Sequence, residues 1–214
     1  MTEEEQIKKS CVAYYDHMSK DYFNKYSDEL EKKLYDKDFL TRFISLIPVN
    51  GKILDIGCCS TAQQARFFSK HGLHVTSIDL SEKCIETARQ NFPSIEFIQM
   101  DMLDMRFEKD SFHAINAFYS IIHIPNEKLD RLFSEFHRIL KKKGKLAIAV
   151  HSGDFYGYFD DNEIPVFYRT YSQNDLKEIL DKHGFKIIEM EQRQPIYDFE
   201  FQSERIYLMA EKMG

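Results

Sequence analysis

The chain has 214 residues, 43% hydrophobic and 30% charged, which is typical of a single globular domain with a substantial core. Its formal net charge of −6 argues against a nucleic-acid partner, because phosphate binding usually requires a basic surface. No apolar run is long enough to cross a membrane and the start lacks a signal-peptide pattern, so we expect a cytoplasmic location and no membrane partner.

The first part of the chain is predicted to be helical. Residues Glu29 to Ile47 carry apolar side chains at near-helical spacing. Pro48 ends this pattern, and Asn50 with Gly51 forms a turn. We therefore assign residues 1–48 to an N-terminal helical segment.

After Gly51, short apolar runs alternate with amphipathic ones. This alternation predicts a parallel sheet with helices on both faces. The predicted strands are Ile53–Ile56, His74–Ile78, Ile95–Met100, Phe112–Phe118 and Leu146–Val150. The predicted helices between them are Ala62–His71, a helix capped by Ser81 that runs to Gln90, and one that opens at Pro125 and Asn126.

The last third of the chain departs from this alternation. Residues 151–171 are rich in aromatic and acidic side chains and predict an irregular insert on the substrate side. A helix capped by Ser172 then reaches Gly184. The runs Phe185–Met190 and Arg205–Ala210 have no helical stretch between them, so we predict an antiparallel pair at one edge of the sheet.

Acidic residues stand at or near the ends of the first three predicted strands, namely Asp55, Asp79 and Asp101. Ligands of open α/β sheets bind at these carboxyl ends. Asp79 suits ribose hydroxyls, because it follows the glycine loop by about 20 residues. Asp55 and Asp101 would repel a pyrophosphate but attract the sulfonium and ammonium groups of S-adenosylmethionine. We therefore favour S-adenosylmethionine over a dinucleotide, with a nicotinamide-dependent oxidoreductase as the disfavoured alternative.

The loop after the first strand reads Gly57-Cys58-Cys59-Ser60-Thr61, with one glycine where dinucleotide loops carry several. A ligand without a pyrophosphate relaxes the need for the second glycine. If Cys59 adopts a left-handed conformation, that costs about 1–2 kcal/mol relative to glycine.

A zinc site could be imagined from Cys58 and Cys59 with His71 and His74. Their spacing matches no common pattern of zinc ligands, so no metal is predicted.

Seven stretches resemble, in the same order, the class I S-adenosylmethionine-dependent methyltransferases of the small-molecule type. They are ILDIGC, VTSIDLSEKCIETAR, IQMDMLDM, AFYSIIHIP, RILKKKGKLAIAV, YSQNDLKEILDKHGF and RIYLMAEK. The resemblance implies a single domain over residues 1–214. It also implies an α/β, Rossmann-like, doubly wound and mostly parallel seven-stranded sheet with a C-terminal antiparallel hairpin.

The resemblance also implies a set of cofactor contacts. Gly57 and the backbone of Cys58 would hold the cofactor, Asp79 the ribose, and Leu80, Asp101 and Met102 the adenine. YDHMSKDY is similar to a lid helix that closes on the methionine moiety, which adds Tyr15 and Tyr22 and makes residues 1–48 a lid. We also assign Asp55 and Phe118, at the ends of the first and fourth strands, to the cofactor site.

Candidate residues for chemistry follow the fourth strand. His123 titrates near neutrality and could remove a proton from a hydroxyl or thiol acceptor, or it could bond a backbone group and orient the loop. Tyr119 could point at the donor methyl group or only form a wall of the pocket. Both alternatives stay open at the level of the sequence.

These observations predict an enzyme that moves a methyl group from S-adenosylmethionine to a small organic acceptor by in-line displacement and releases S-adenosylhomocysteine. The many aromatic side chains of residues 151–171 suit a compact, partly apolar acceptor. Because the glycine loop is altered, a protein that binds the cofactor without catalysis remains the alternative.

Overall fold

The computed structural model describes residues 2–161 and 164–214. Its helices are α1 (Glu3–Tyr26), α2 (Glu29–Lys32), α3 (Leu34–Ser45), α4 (Gln63–Lys70), α5 (Glu82–Asn91), α6 (Asn126–Ile139) and α7 (Gln173–Lys182). Its strands are β1 (Lys52–Ile56), β2 (His74–Asp79), β3 (Glu96–Gln99), β4 (Phe112–Phe118), β5 (Leu140–His151), β6 (Tyr156–Asp161), β7 (Ile164–Arg169), β8 (Phe185–Arg193) and β9 (Arg205–Lys212).

The described residues form a seven-stranded sheet with the order β3-β2-β1-β4-β5-β9-β8. Strands β3 to β5 run parallel, whereas β9 is antiparallel to both β5 and β8. The predicted fold class is confirmed, including the antiparallel hairpin at the C-terminus. The strand order reverses between β1 and β4, which is where open sheets of this type bind their ligands.

Helices cover both faces of the sheet. On one face, α6 and α7 pack on apolar side chains such as Leu54 and Ile115. On the other, α3 and α4 pack on neighbours such as Ile53 and Ala114. Because adjacent residues of one strand enter different cores, the central strands are buried on both sides and read as continuous apolar runs.

Helix α1 crosses the edge at which the parallel strands end. It begins with a capping box between Thr2 and Glu5. On one side Ser19 Oγ donates to the carbonyl of Lys83 on α5, at 3.1 Å. On the other side, Ile7 and Cys11 pack against Val166 and Phe167 of β7. The N-terminal segment is therefore helical, as predicted, and it is held over the sheet by contacts from two sides.

The prediction of an irregular insert over residues 151–171 was wrong. Most of this segment is an antiparallel pair, β6–β7, which forms a separate two-stranded sheet. Tyr156 and Tyr158 are two residues apart on β6 and lie on the same face. Their rings contact the ring of Phe167, with centroids 5.1 and 5.9 Å apart. This period-two packing explains the strand.

No helix among the residues that the structure describes is both long and apolar enough to cross a membrane.

Candidate active site

One cavity of about 500 Å³ opens at the carboxyl edge of the sheet, beneath α1. This volume lies within the usual range for small-molecule sites. Eleven of the twelve predicted site residues line it: Tyr15, Tyr22, Gly57, Cys58, Asp79, Leu80, Asp101, Met102, Phe118, Tyr119 and His123. The cofactor end lies over β1, β2 and β3, and the opposite end lies over β4, β5 and β9.

Asp55 is the predicted site residue that the structure does not bring to the cavity. Its side chain is buried beneath the loop, where Asn116 Nδ2 donates to Oδ1 at 2.7 Å and Ser77 Oγ donates to Oδ2 at 3.1 Å. Burial raises the pKa of Asp55 to about 6. The carboxyl group therefore fastens three neighbouring strands, because Asn116 is on β4 and Ser77 is on β2, and its charge does not face a ligand.

The loop after β1 has the left-handed backbone that a tight turn requires. Gly57 has φ of 76° and Cys59 has φ of 52°. A side chain at position 57 would place its Cβ 2.4 Å from Cβ of Ser120, so only glycine fits there. Cys59 does adopt the left-handed conformation, at a cost of about 1–2 kcal/mol relative to glycine.

Asp79 stabilises this strained loop. The backbone N–H of Cys59 donates to Asp79 Oδ2 at 2.8 Å, and that of Ser81 donates to Oδ1 at 2.9 Å. Hydrogen bonds to an ionised carboxylate are stronger than those between neutral groups, so the first bond offsets part of the strain at Cys59. Burial nevertheless raises the pKa of Asp79. Each carboxylate oxygen still has a lone pair for a ligand hydroxyl.

Asp101 is tied to α1 by a residue that the sequence analysis did not single out. Lys8 Nζ lies 2.5 Å from Asp101 Oδ2 and 2.9 Å from Glu4 Oε1, and Lys128 Nζ lies 2.5 Å from Glu4 Oε2. Hydrogen bonds from Lys128 and Lys8 lower the pKa of Glu4 to about 2. This network fastens the beginning of α1 across the cofactor end of the cavity.

The charges around the cavity are almost fully compensated. Of the nine charged side chains that line it in the described chain, eight are in ion pairs and Asp79 is not. The paired residues are Glu4, Lys8, Glu29, Lys33, Asp36, Asp101, Glu200 and Arg205, some with Lys128 or Arg193 behind the wall. Six acidic groups thus face five basic ones, and the uncompensated negative charge lies at Asp79.

His123 links α1 to the hairpin β6–β7. Its Nδ1 lies 2.7 Å from the carbonyl oxygen of Phe167, which can only accept, so Nδ1 carries the proton. Burial lowers the pKa of His123, which keeps the ring neutral. Nε2 then accepts a hydrogen bond from the hydroxyl of Tyr15 at 2.8 Å. Both ring nitrogens are therefore engaged in hydrogen bonds.

Tyr119 follows β4 with φ of 51°, an uncommon conformation for a bulky residue. Its hydroxyl lies 2.9 Å from that of Tyr207, and Tyr207 donates to Asp36 Oδ1 at 2.6 Å. Burial raises the pKa of Tyr119. Because its hydroxyl is engaged in this chain of hydrogen bonds, the Tyr119 side chain is held as a fixed part of the cavity wall.

Behind Tyr207, Arg193 joins the acidic groups of this network. It donates to Glu200 Oε1 at 2.8 Å and to Asp36 Oδ1 at 3.3 Å. Burial opposes ionisation of Glu200, but the hydrogen bonds from Arg193 hold its pKa at about 2. This buried ionic cluster is the floor of the opposite end of the cavity.

The lining residues that were not among the predicted site residues include Lys8, Asp36, His151, Glu200 and Arg205. Two had a signal in the sequence. His151 ends β5 at the ligand-binding edge, and Arg205 starts an antiparallel strand, so it pairs with His151 at that same edge. The other three reach the cavity from helices and from the β8–β9 connection, for which no local pattern indicates a site.

Comparisons with known proteins agree with this fold. Residues 53–144 match the profile of a family described as a methyltransferase domain. The O-methyltransferase rstn1 of Aspergillus nomiae is 29% identical in an alignment of 165 positions that covers 70% of this chain and 72% of that protein. Phosphoethanolamine N-methyltransferase 2 of Caenorhabditis elegans is 29% identical in an alignment of 151 positions that covers 67% of this chain but only 34% of that longer protein.

Two solved structures show the same fold. The 1,6-didemethyltoxoflavin-N1-methyltransferase of Burkholderia thailandensis, solved with 1,6-didemethyltoxoflavin and S-adenosylhomocysteine bound, superposes with a TM-score of 0.77 at 15% identity and covers 100% of this chain and 92% of its own. A S-adenosylmethionine-dependent methyltransferase of Methanosarcina mazei gives a TM-score of 0.72 at 19% identity and covers 80% of this chain and 96% of its own. The domain match covers the segment that carries the cofactor-end loops, so this segment is similar to a methyltransferase domain, and the whole chain has the fold of these two methyltransferases.

Proposed function

We propose that this protein is an enzyme that transfers a methyl group from S-adenosylmethionine to a small organic acceptor by in-line displacement. The observation that carries the proposal is one continuous cavity that joins the Asp79 and Asp101 end to an aromatic end beyond Tyr119. Such a shape accommodates a cofactor and a second molecule end to end. A protein that only binds the cofactor has no need of the second chamber, so we do not propose the non-catalytic alternative.

The residues of the cofactor end fit S-adenosylmethionine, which supplies a methyl group already activated by a positively charged sulfur. Two observations support the fit. The buried hydroxyl of Ser120, which lines the cavity, lacks a partner within the described chain. The uncompensated negative charge at Asp79 suits a ligand that is positively charged overall.

The roles we propose for the cofactor end follow from position. Gly57 and the backbone of Cys58 lie against the ligand, and Asp79 accepts hydrogen bonds from ribose hydroxyls. Adenine is held by three residues, namely Leu80, Asp101 and Met102. Tyr15 and Tyr22 close over the methionine moiety from α1, with Phe118 on the floor at the end of β4.

We propose that alignment and exclusion of water provide most of the catalysis, because an activated methyl group needs no covalent nucleophile. Closure of α1 shields the reacting atoms, and the rigid ring of Tyr119 fixes the approach of the acceptor. Where the acceptor must lose a proton, the Tyr15 hydroxyl receives it and passes its own proton to Nε2 of His123. This transfer uses the 2.8 Å hydrogen bond between the two side chains.

The experiment begins with calorimetry of S-adenosylmethionine and S-adenosylhomocysteine binding, with NAD as the control ligand. We expect both adenosyl ligands to bind and NAD not to bind. Asp79→Ala is expected to weaken binding by up to about 3 kcal/mol, the scale of lost charged hydrogen bonds. Asp104→Ala, an exposed acid near the same edge, is the matched control and should leave affinity unchanged.

Formation of S-adenosylhomocysteine is then measured over a panel of small hydroxyl, thiol and amine acceptors. His123→Asn is expected to lower kcat and to change its pH dependence, because the asparagine amide can still donate to the Phe167 carbonyl but cannot accept a proton. No binding of either adenosyl ligand would refute the proposal. An unchanged pH profile in His123→Asn would refute the role of that residue alone.

A further inference from the structure

We propose that the acceptor is an uncharged, planar aromatic or heteroaromatic molecule that carries an N–H or O–H group. This inference rests on the proposed methyl transfer and adds the chemical class of the acceptor. The binding place is the acceptor chamber, which we define as the part of the cavity lined by Tyr119, His151, Phe199 and Phe201 above Arg205.

The first argument is the arrangement of rings around His151. The centroid of its imidazole lies 4.9 Å from Tyr119, 5.8 Å from Tyr168 and 5.3 Å from Phe201. Phe199 and Phe201 are 50% and 59% exposed, so their rings have uncovered apolar surface at the chamber. Flat ring surfaces of this kind favour another ring, which can pack by stacking or by edge-to-face contacts.

The second argument is that the charged side chains around the chamber are already in ion pairs with one another. Within the described chain, Glu200 is paired with Arg193 and Arg205, Asp36 with Arg193, and Lys33 with Glu29. An anionic acceptor would have to take a basic group from one of these partners, and a cationic acceptor would have to take a carboxylate. Breaking a buried pair leaves an uncompensated charge, which is strongly unfavourable. A neutral acceptor avoids this cost.

The third argument is the state of His151. Its Nδ1 is engaged with the hydroxyl of Ser203 at 2.5 Å, which leaves Nε2 for a hydrogen bond with a bound molecule. Burial, and next the charge of Arg205, lower the pKa of His151 to about 3, so the ring is neutral at physiological pH. In the tautomer that carries its proton on Nδ1 and donates to Ser203, Nε2 of the neutral imidazole accepts a hydrogen bond from an N–H or O–H group on an uncharged ring without bringing a charge into the chamber.

The test compares matched acceptors with the full-length protein. One set consists of neutral phenols and N–H heterocycles of one or two rings. A second set carries a carboxylate or a quaternary ammonium group on the same rings, and a third consists of aliphatic alcohols and amines of similar size. Binding is followed by saturation-transfer NMR with S-adenosylhomocysteine present, and turnover is followed by S-adenosylhomocysteine formation. We expect binding and turnover to be highest in the first set.

Variants of the chamber make the test sharper. Phe201→Ala is expected to raise KM for neutral planar acceptors about 3- to 10-fold, the scale of one aromatic contact, without changing the affinity for S-adenosylmethionine. Ile196→Ala is the matched control, because Ile196 is exposed on the same connection and does not line the cavity. His151→Phe keeps the ring packing and should weaken only acceptors with an N–H or O–H group.

Preferential binding of the charged or aliphatic sets would overturn the inference, as would an unchanged KM in Phe201→Ala. Failure of the proposed function has a different signature, namely no S-adenosylhomocysteine from any acceptor. In that case the NMR binding data still decide which chemical class the chamber accepts.

Discussion

Replacing Gly57 by alanine separates backbone strain from steric conflict at the cofactor loop. Gly57 and Gly72 both have positive φ, at 76° and 81°, so alanine costs about 1–2 kcal/mol of backbone strain at either position. At Gly57 the new Cβ would also lie 2.4 Å from Cβ of Ser120, whereas at Gly72 nothing lies within 4 Å. Overpacking of this kind adds about 1–3 kcal/mol. Gly57→Ala should therefore lower the free energy of unfolding by about 1–3 kcal/mol more than Gly72→Ala does.

The measurement is urea unfolding followed by far-UV circular dichroism, because the chain has no tryptophan for fluorescence. The same difference in free energy corresponds to about 2–4 °C in Tm for each kcal/mol. In the double variant Gly57→Ala/Ser120→Gly the obstructing Cβ is gone, so the steric part should be recovered and the backbone part should remain. Equal losses in the two single variants, or no recovery in the double variant, would refute the steric reasoning.

The other predictions concern pH, α1 and the buried ionic cluster. Because the pKa of Asp55 is about 6 in the folded protein and near 3.8 when unfolded, its contribution to stability is greatest at low pH and is lost as the pH rises through 6. Asp55→Asn should remove about 3 kcal/mol of this pH dependence, measured as the difference in unfolding free energy between pH 4 and pH 7. Lys8→Met removes the ion pairs that hold the start of α1, so hydrogen exchange should become faster in α1, whereas Lys9→Met, an exposed neighbour, should have no effect. Faster exchange in both variants would contradict the role of the ion pairs. Glu200→Gln should destabilise the protein by about 3–5 kcal/mol, because its arginine partners stay buried without their counter-charge. Asp198→Asn should change stability by less than about 0.5 kcal/mol, and a similar loss in both would argue against a buried pair.

The fold and most of the site could be predicted because their signals are local. Apolar periodicity indicates which segments are strands and in which order they follow in the chain. Because ligands of such sheets bind at the carboxyl ends of the strands, residues at those ends could be assigned to one site at that edge of the sheet. Asp79 and Asp101 reach the cavity for this reason. Asp55 does not, because it lies inside a strand that is buried on both faces, and strand periodicity alone does not tell which of two buried faces a ligand approaches.

The remaining features depend on pairing between distant segments. The composition of residues 151–171, considered alone, favours an exposed segment without regular secondary structure. In the structure, Tyr156 and Tyr158 lie on the same face of β6 and pack on Phe167. Lys8 and Glu200 enter the cavity from a helix and from a connection whose positions are fixed by tertiary contacts. The neutral character of the acceptor chamber depends on three such segments, so the sequence pattern could not indicate it.

Two of the six non-glycine residues with positive φ in the described chain line the cavity, namely Cys59 and Tyr119. Each donates a short backbone hydrogen bond, Cys59 to Asp79 at 2.8 Å and Tyr119 to the carbonyl of Ala149 at 2.7 Å. Such strain persists only where the surrounding structure compensates for it. Asp79 therefore holds the loop in its shape without any ligand, through the hydrogen bond from Cys59. A chain with a cysteine in place of a glycine can keep this loop because Asp79, the carboxylate that we propose binds the ribose, also stabilises the substituted residue.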